Sequence, residues 1–200
     1  MSTNAAQRVN NRVEPLLDAA ASQFASKGYR ATTIRDIAAA VGMLPGSVYY
    51  HFPSKQALLL SVYEEGVRRI SARLDESIKG ETEPWQCLRK ATEVHLDAIL
   101  DQSDYASVMN RIAPDQVPEI RSELTRLRQD YEARFVTLID DIPLHADVDR
   151  RLLRLMLLGA MNWAHVWFRQ DGTSIDDIAH AFTNFLRHSL SKKNDEFDSA

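Results

Sequence analysis

One cysteine in 200 residues, Cys87, leaves the chain no internal disulfide. A reducing, cytoplasmic setting is the expectation that follows. Glycine and proline are scarce as well, seven of each. That is few for the many tight turns of an all-β chain of this length. Nowhere does an apolar run approach the roughly 18 residues of a membrane-spanning helix. The N-terminal "MSTNAAQRVNNRVEP" has no apolar core of the kind a secretory signal carries. No transmembrane segment and no membrane partner are therefore expected.

Catalytic patterns are missing too. His51, His95, His145, His165, His180 and His188 form no HxxxH or HExxH pair. Asp140–Asp141 and Asp176–Asp177 are sequence neighbours, so their side chains diverge rather than converge. There is no glycine-rich phosphate loop and no nucleophile elbow. The chain is not expected to be an enzyme, and no metal and no cofactor are expected.

What is present is helical period. The hydrophobic share, 44%, is enough for a full core. Val13, Leu16, Leu17, Ala20 and Phe24 recur at three- and four-residue spacing, with Gly28 as a stop. In "ATTIRDIAAAVG", Thr33 suits an N-cap, Ile34, Ile37, Ala38 and Val41 form one apolar face, and Gly42 suits the left-handed position past the end. Pro45 opens a short third helix, and Ser54 caps a fourth that runs to about residue 79. "KGETEP" at 79–84 reads as a hinge. Further helices are predicted near 84–101, 104–112, 118–140, 147–169 and 174–192. The charge is uneven. Residues 1–55 hold six basic and three acidic side chains, and the remainder holds 18 basic and 25 acidic ones. A mildly basic head on an acidic body fits one polyanion-facing end, and fits chance scatter equally well.

The stretch "LPGSVYYHFPSK", residues 44–55, crowds two tyrosines, a histidine and a phenylalanine onto one short helix. They cannot all face one core. Val48 and Phe52, four apart, take the inner side and leave the other face free. Two short helices joined at Gly42 match a helix-turn-helix. Tyrosine hydroxyls and an imidazole suit phosphate oxygens, and tyrosine rings suit thymine methyl groups. Bland alternatives stand beside this: Tyr50 as a core aromatic, His51 as a helix cap, Arg35 in a surface ion pair.

Residues 24–59, "FASKGYRATTIRDIAAAVGMLPGSVYYHFPSKQALL", resemble the DNA-binding domain of tetracycline-repressor-type (TetR family) regulators. The glycine-aromatic pair, Thr-Thr, "IA…G" and Gly-Ser-hydrophobic-Tyr-Tyr-His-Phe with its lysine occur in order. The likeness is much weaker beyond about residue 75. It implies an all-α homodimer. A three-helix DNA-binding domain would span 8–55, a helical ligand-binding and dimerisation domain 56–192, and a disordered tail 193–200. It implies that Thr33, Tyr49, His51 and Lys55 hold phosphates, with Arg35, Gly46, Ser47 and Tyr50 at or near base edges. Met43, Leu44 and Pro45 depart from the family, which often places polar residues there. The function implied is a ligand-responsive transcriptional repressor, bound to a palindromic double-stranded operator and released by a small hydrophobic inducer. A helical interaction module without DNA binding is the rival, and it would show no binding in a low-salt DNA titration.

In the C-terminal body, Gly159 and Trp167 on one helix and Ile178, Phe182, Phe185 and Ser189 on the next are the candidate dimer interface. Candidate ligand-lining residues are Trp85, Leu88, His95, Met109, Tyr131, Phe135, Asn162 and Trp163. Each of these, taken singly, is better explained as core than as ligand site. The run from Asn162 to Arg169 looks similar to regulators of fatty-acid, steroid or other acyl-CoA catabolism. Arg111, Arg121, Arg128 or Arg154 would then meet a carboxylate or CoA phosphates, or else form solvated surface.

Overall fold

The computed structural model describes residues 3–169 and 172–191, with side chains from Val13 onward. The tail expected at 193–200 lies outside the described residues. The helices are α1 Thr3–Lys27, α2 Ile34–Ala40, α3 Pro45–His51, α4 Lys55–Ile78, α5 Pro84–Leu100, α6 Asp104–Arg111, α7 Arg121–Asp140, α8 Arg150–Asn162, α9 Ala164–Trp167 and α10 Ile175–Leu190. The fold is all-α, with an N-terminal helix-turn-helix domain and a C-terminal helical domain. A single bridge, Leu144 to Ser191, is the extended pairing among the described residues. No described helix is long and apolar enough to cross a membrane.

The chain divides into two compact units. One holds residues 1–69 and 101–129, the other 70–100 and 130–200. In the first, α1 packs on α2 and α6, and α2 packs on α3. Its core joins Leu16, Ala20, Phe24, Ile37, Val48, Phe52, Leu58, Val62, Val108 and Leu124. Gly66, inside α4, lies where an added Cβ would collide with the Met109 sulfur. A glycine there lets α6 rest directly on the α4 backbone. In the second unit, α5 is central, with α8, α9 and α10 against it.

Local chemistry sets the boundaries. Thr33 caps α2 in a capping box with Asp36. Gly42, at φ +64°, takes the left-handed turn between α2 and α3, and Pro45 fills the first turn of α3. The Ser54 hydroxyl accepts the Ala57 N–H and opens α4. Two expectations shift. The helix predicted over 118–140 begins with a 3₁₀ turn at Pro118–Ile120, and α7 proper starts at Arg121. The helix predicted over 147–169 starts at Arg150, capped by Asp149, and breaks at Trp163. That break falls where the preceding residue, Asn162, bonds a buried histidine.

Candidate nucleic-acid interface and ligand site

The outward face of α3 is bare. Val48 and Phe52 are buried, while Tyr49 and Tyr50 are 51% and 81% exposed. Leaving two aromatic rings in water forgoes the burial that usually accounts for such residues. Ser47 and Gly46 are exposed on the same short helix, and a Cβ at Gly46 would meet nothing within 4 Å. His51, half-buried, sits edge-on to Tyr50 at 5.3 Å. On α2, Arg35 is exposed and has no ion-pair partner among the described residues. Tyr50 is thus not a core aromatic, and Arg35 is not tied up in a surface pair.

Two of the eight expected DNA contacts have partners within the chain. The Lys55 ammonium donates to the Tyr29 and Thr32 carbonyls at 2.8 and 2.9 Å, and lies 4.3 Å from the centre of the Tyr29 ring. It clips the loop between α1 and α2 to the start of α4. Burial draws its pKa below the usual lysine value. These bonds use two of the ammonium's three donors and leave its positive charge in place. Thr33 is occupied as well: its hydroxyl accepts from the Asp36 N–H and donates to the Asp36 carboxylate, at 3.2 and 2.7 Å. A phosphate there would have to displace an anion.

Lys55→Met should therefore lower stability by about 1–2 kcal/mol, the cost of two stranded carbonyls. DNA affinity should fall with it, but the salt dependence of binding should not change. Thermal denaturation and binding at several salt concentrations check this. A shallower salt slope in the variant would return Lys55 to the phosphates.

The second unit holds a polar cluster in an apolar setting. His95 of α5 is buried. Its Nδ1 is 3.0 Å from the Tyr131 hydroxyl, and its Nε2 is 3.1 Å from the Asn162 amide oxygen. An amide oxygen only accepts, so Nε2 carries the proton and Nδ1 accepts from tyrosine. Tyr131 stacks on the imidazole at 5.7 Å, and Phe135 meets it edge-on at 5.5 Å. Burial pulls the His95 pKa down to about 4 and pushes the Tyr131 hydroxyl up. Trp85 and Leu88 are buried on the same helix.

Two expected lining residues lie elsewhere. Met109 is in the first unit, against Gly66. Trp163 is 60% exposed, because it sits four residues after the outward-facing Gly159. Thr92, which the sequence reading passed over, is fully buried, and its hydroxyl has no partner among the described residues. Periodicity alone files it as one more core position. The arginines considered for a charged ligand are engaged: Arg121 with Asp115, Arg154 with Glu132, Arg128 with Tyr63 and two carbonyls, Arg111 with the Ala25 carbonyl.

A neutral buried histidine makes stability depend on pH. Unfolded His95 takes up a proton near its ordinary value of 6.5, while folded His95 waits until about 4. Between those values the unfolded state binds more protons, so stability falls as pH falls. The loss should reach roughly 3 kcal/mol by the lower end. Denaturant titrations across that window should show a smaller drop in His95→Gln than in the parent.

A third feature is an uncovered apolar stripe. Leu152, Leu155, Met156, Gly159 and Trp163 follow one another at helical spacing along α8, and all are exposed. Val166 and Trp167 on α9 and Phe185, 69% exposed, on α10 are uncovered as well. Ser189 is exposed and Phe182 half-buried against Trp167. Ile178 departs from this group: it is buried within its own unit. A Cβ at Gly159 would meet nothing within 4 Å. Leu152, Leu155 and Met156 were missed in the sequence because α8 is apolar on two faces, and period cannot say which face the chain itself covers.

An all-α chain with a bare second helix in a helix-turn-helix defines a DNA-reading regulator scaffold. The comparisons with known proteins agree. Residues 16–62 match the family model described as bacterial regulatory proteins, tetR family, and residues 81–190 match the tetracyclin repressor-like C-terminal domain. The chain belongs to the tetR family. It is 27% identical over 188 residues to the HTH-type transcriptional repressor KstR2 of Rhodococcus jostii, covering 90% of this chain and 92% of that one. The crystal structure of superantigen PfiT superposes with a TM-score of 0.77 at 26% identity, covering 89% of this chain and 95% of that one. AibR, solved in complex with isovaleryl coenzyme A and operator DNA, shares the fold with a TM-score of 0.70 at 21% identity, over 87% of this chain and 97% of that one.

Proposed function

We propose that this chain is a ligand-responsive transcriptional repressor that binds a palindromic operator as a homodimer and is released by a small hydrophobic inducer of the acyl-CoA class. The observation that carries it is the outward face of α3, where Ser47, Tyr49 and Tyr50 stand free beside an unpaired Arg35. Nothing among the described residues accounts for that face, and double-stranded DNA does. Arg35 and Ser47 read base edges, and Tyr49 and His51 touch phosphates. Residues 8–55 form the DNA-reading domain and residues 56–192 the ligand-binding and dimerisation domain. The α8–α10 stripe meets its copy in a partner subunit, with Gly159 at the point of closest helix approach. The protein works in the cytoplasm and catalyses nothing.

The inducer class rests on likeness. KstR2 is named a repressor, and AibR holds isovaleryl coenzyme A on the same fold. The buried cluster of His95, Tyr131 and Phe135, with Asn162 at its edge, gives an apolar site with a few polar groups. Release requires that the ligand bind the DNA-incompetent arrangement better than the competent one.

Fluorescence anisotropy on the DNA upstream of the protein's own gene tests this. Acyl-CoAs of increasing chain length should lower affinity by about 10-fold or more, within the usual range of allosteric coupling. Absence of specific binding at low salt would overturn the regulator reading. Release by a compound without an acyl group would overturn the inducer class alone.

A further inference from the structure

Within the proposed ligand site, one bond differs from ordinary core packing. We infer that the hydrogen bond between His95 and Asn162 marks the point where the ligand's uncharged carbonyl group is recognised, and that the Asn162 carboxamide holds that point until a ligand carbonyl replaces it. This rests on the reading of the chain as a ligand-responsive regulator.

Three observations lead there. The first is the chemistry of the bond. Asn162 presents an amide oxygen, itself a neutral carbonyl, 3.1 Å from His95 Nε2. A thioester, ester or ketone oxygen replaces it like for like, accepting from the same N–H. Asn162 is exposed and ends α8 at the break before α9, so its side chain can swing into water without emptying the core. His95 is buried and cannot follow it. Once Asn162 leaves, Nε2–H has nothing to donate to, and the position is open to a ligand acceptor.

The second observation is Thr92. Its hydroxyl is buried without a partner among the described residues. It lies three residues before His95 on α5, so the two share a helical face. A stranded hydroxyl in a core is costly and uncommon. Together Thr92 and His95 supply two neutral donors, the number a carbonyl oxygen with two lone pairs accepts.

The third is the pairing of the neighbouring cations. Tyr131 occupies Nδ1, and Phe135 closes the imidazole edge. The cations that act on the Tyr131 hydroxyl are Arg73 and Arg134. Arg73 is held by Asp97 and Arg134 by Asp75. A carboxylate at this point would be buried against neutral donors, with both neighbouring arginines already paired. The site therefore selects an uncharged carbonyl over a carboxylate on the same chain.

The test uses the full chain and one matched series: methyl decanoate, decanoyl-CoA and decanoate, followed by tryptophan fluorescence, since Trp163 adjoins Asn162. Methyl decanoate or decanoyl-CoA should bind about 10-fold tighter than decanoate, or better, a gap of about 1.4 kcal/mol. Their relative affinities tell whether the carbonyl comes from a simple ester or a CoA thioester. Asn162→Ala removes the internal competitor, so it should tighten methyl decanoate by about 3-fold or more, as expected when the binding-competent state no longer has to be uncovered. Decanoate should not gain. Equal or tighter binding of decanoate, or an Asn162→Ala variant with normal helicity that binds methyl decanoate no better, overturns the inference while leaving the ligand site standing. If none of the three binds although the protein still binds its operator, the ligand site itself is overturned.

Discussion

Raising the salt from about 50 to about 200 mM will weaken operator binding on the order of 10²- to 10³-fold, through release of counterions from the phosphates. The size follows from which cations are free. In the DNA-reading unit, Lys55 donates to two carbonyls and Lys27 lies 3.8 Å from Asp36, and neither is counted. Arg30 and Arg35 are exposed and without an ion-pair partner among the described residues. Two such arginines in each subunit of a dimer, with Arg35 counted for its charge although it reaches base edges, and a small contribution from residues nearer the N-terminus, displace about four to six counterions. Counting Lys55 as well would make the dependence steeper. The slope of log affinity against log salt is the measurement. Arg30→Ala should flatten it by nearly two in the dimer, one contact per subunit. Arg35→Ala should also relax the preference at one operator position, at a cost of about 1–3 kcal/mol per subunit. A slope unchanged by both substitutions would remove the arginines from the interface.

Leu155→Asp combined with Phe185→Asp will leave a folded monomer. Both side chains are exposed in the single chain, so neither substitution opens a cavity or strands a charge in the fold. In a symmetric dimer each occurs twice. Four apolar side chains at about 2 kcal/mol each give roughly 8 kcal/mol, before counting the burial of four carboxylates. The dissociation constant should rise on the order of 10⁶-fold or more. Sedimentation velocity gives the state of association, and circular dichroism shows that the helices persist. Operator affinity should collapse with the dimer, since two half-sites are then no longer read together. A double variant that stays dimeric would place the interface off the α8–α10 stripe.

Much of the DNA-reading end was legible in the residues alone. Thr33, Gly42 and Pro45 each have a backbone reason for their place, and local rules of capping and turns involve only a few neighbouring residues. Val48 and Phe52 set the inner side of α3; the structure then excluded the alternative of Tyr50 as a core aromatic, with Tyr49 and Tyr50 both exposed. The internal partners of Lys55 were hidden for the opposite reason. Its partners, Tyr29 and Thr32, lie 26 and 23 residues away, and no local pattern reports a carbonyl at that distance.

In the C-terminal body the sequence determined that helices form and roughly where they end. It could not say which apolar face of α8 the chain covers for itself. Leu153, Leu157 and Met161 are buried while Leu152, Leu155 and Met156 are bare, though all six are equally apolar. Nor could it join His95, Tyr131 and Asn162, which lie on three helices up to 67 residues apart. Secondary structure and capping follow from forces that act within one or two turns, so the sequence carries them openly. The assignment of one apolar face to the core and another to the surface, and the meeting of a buried imidazole with its two partners, depend on long-range packing. Only the tertiary structure decided those.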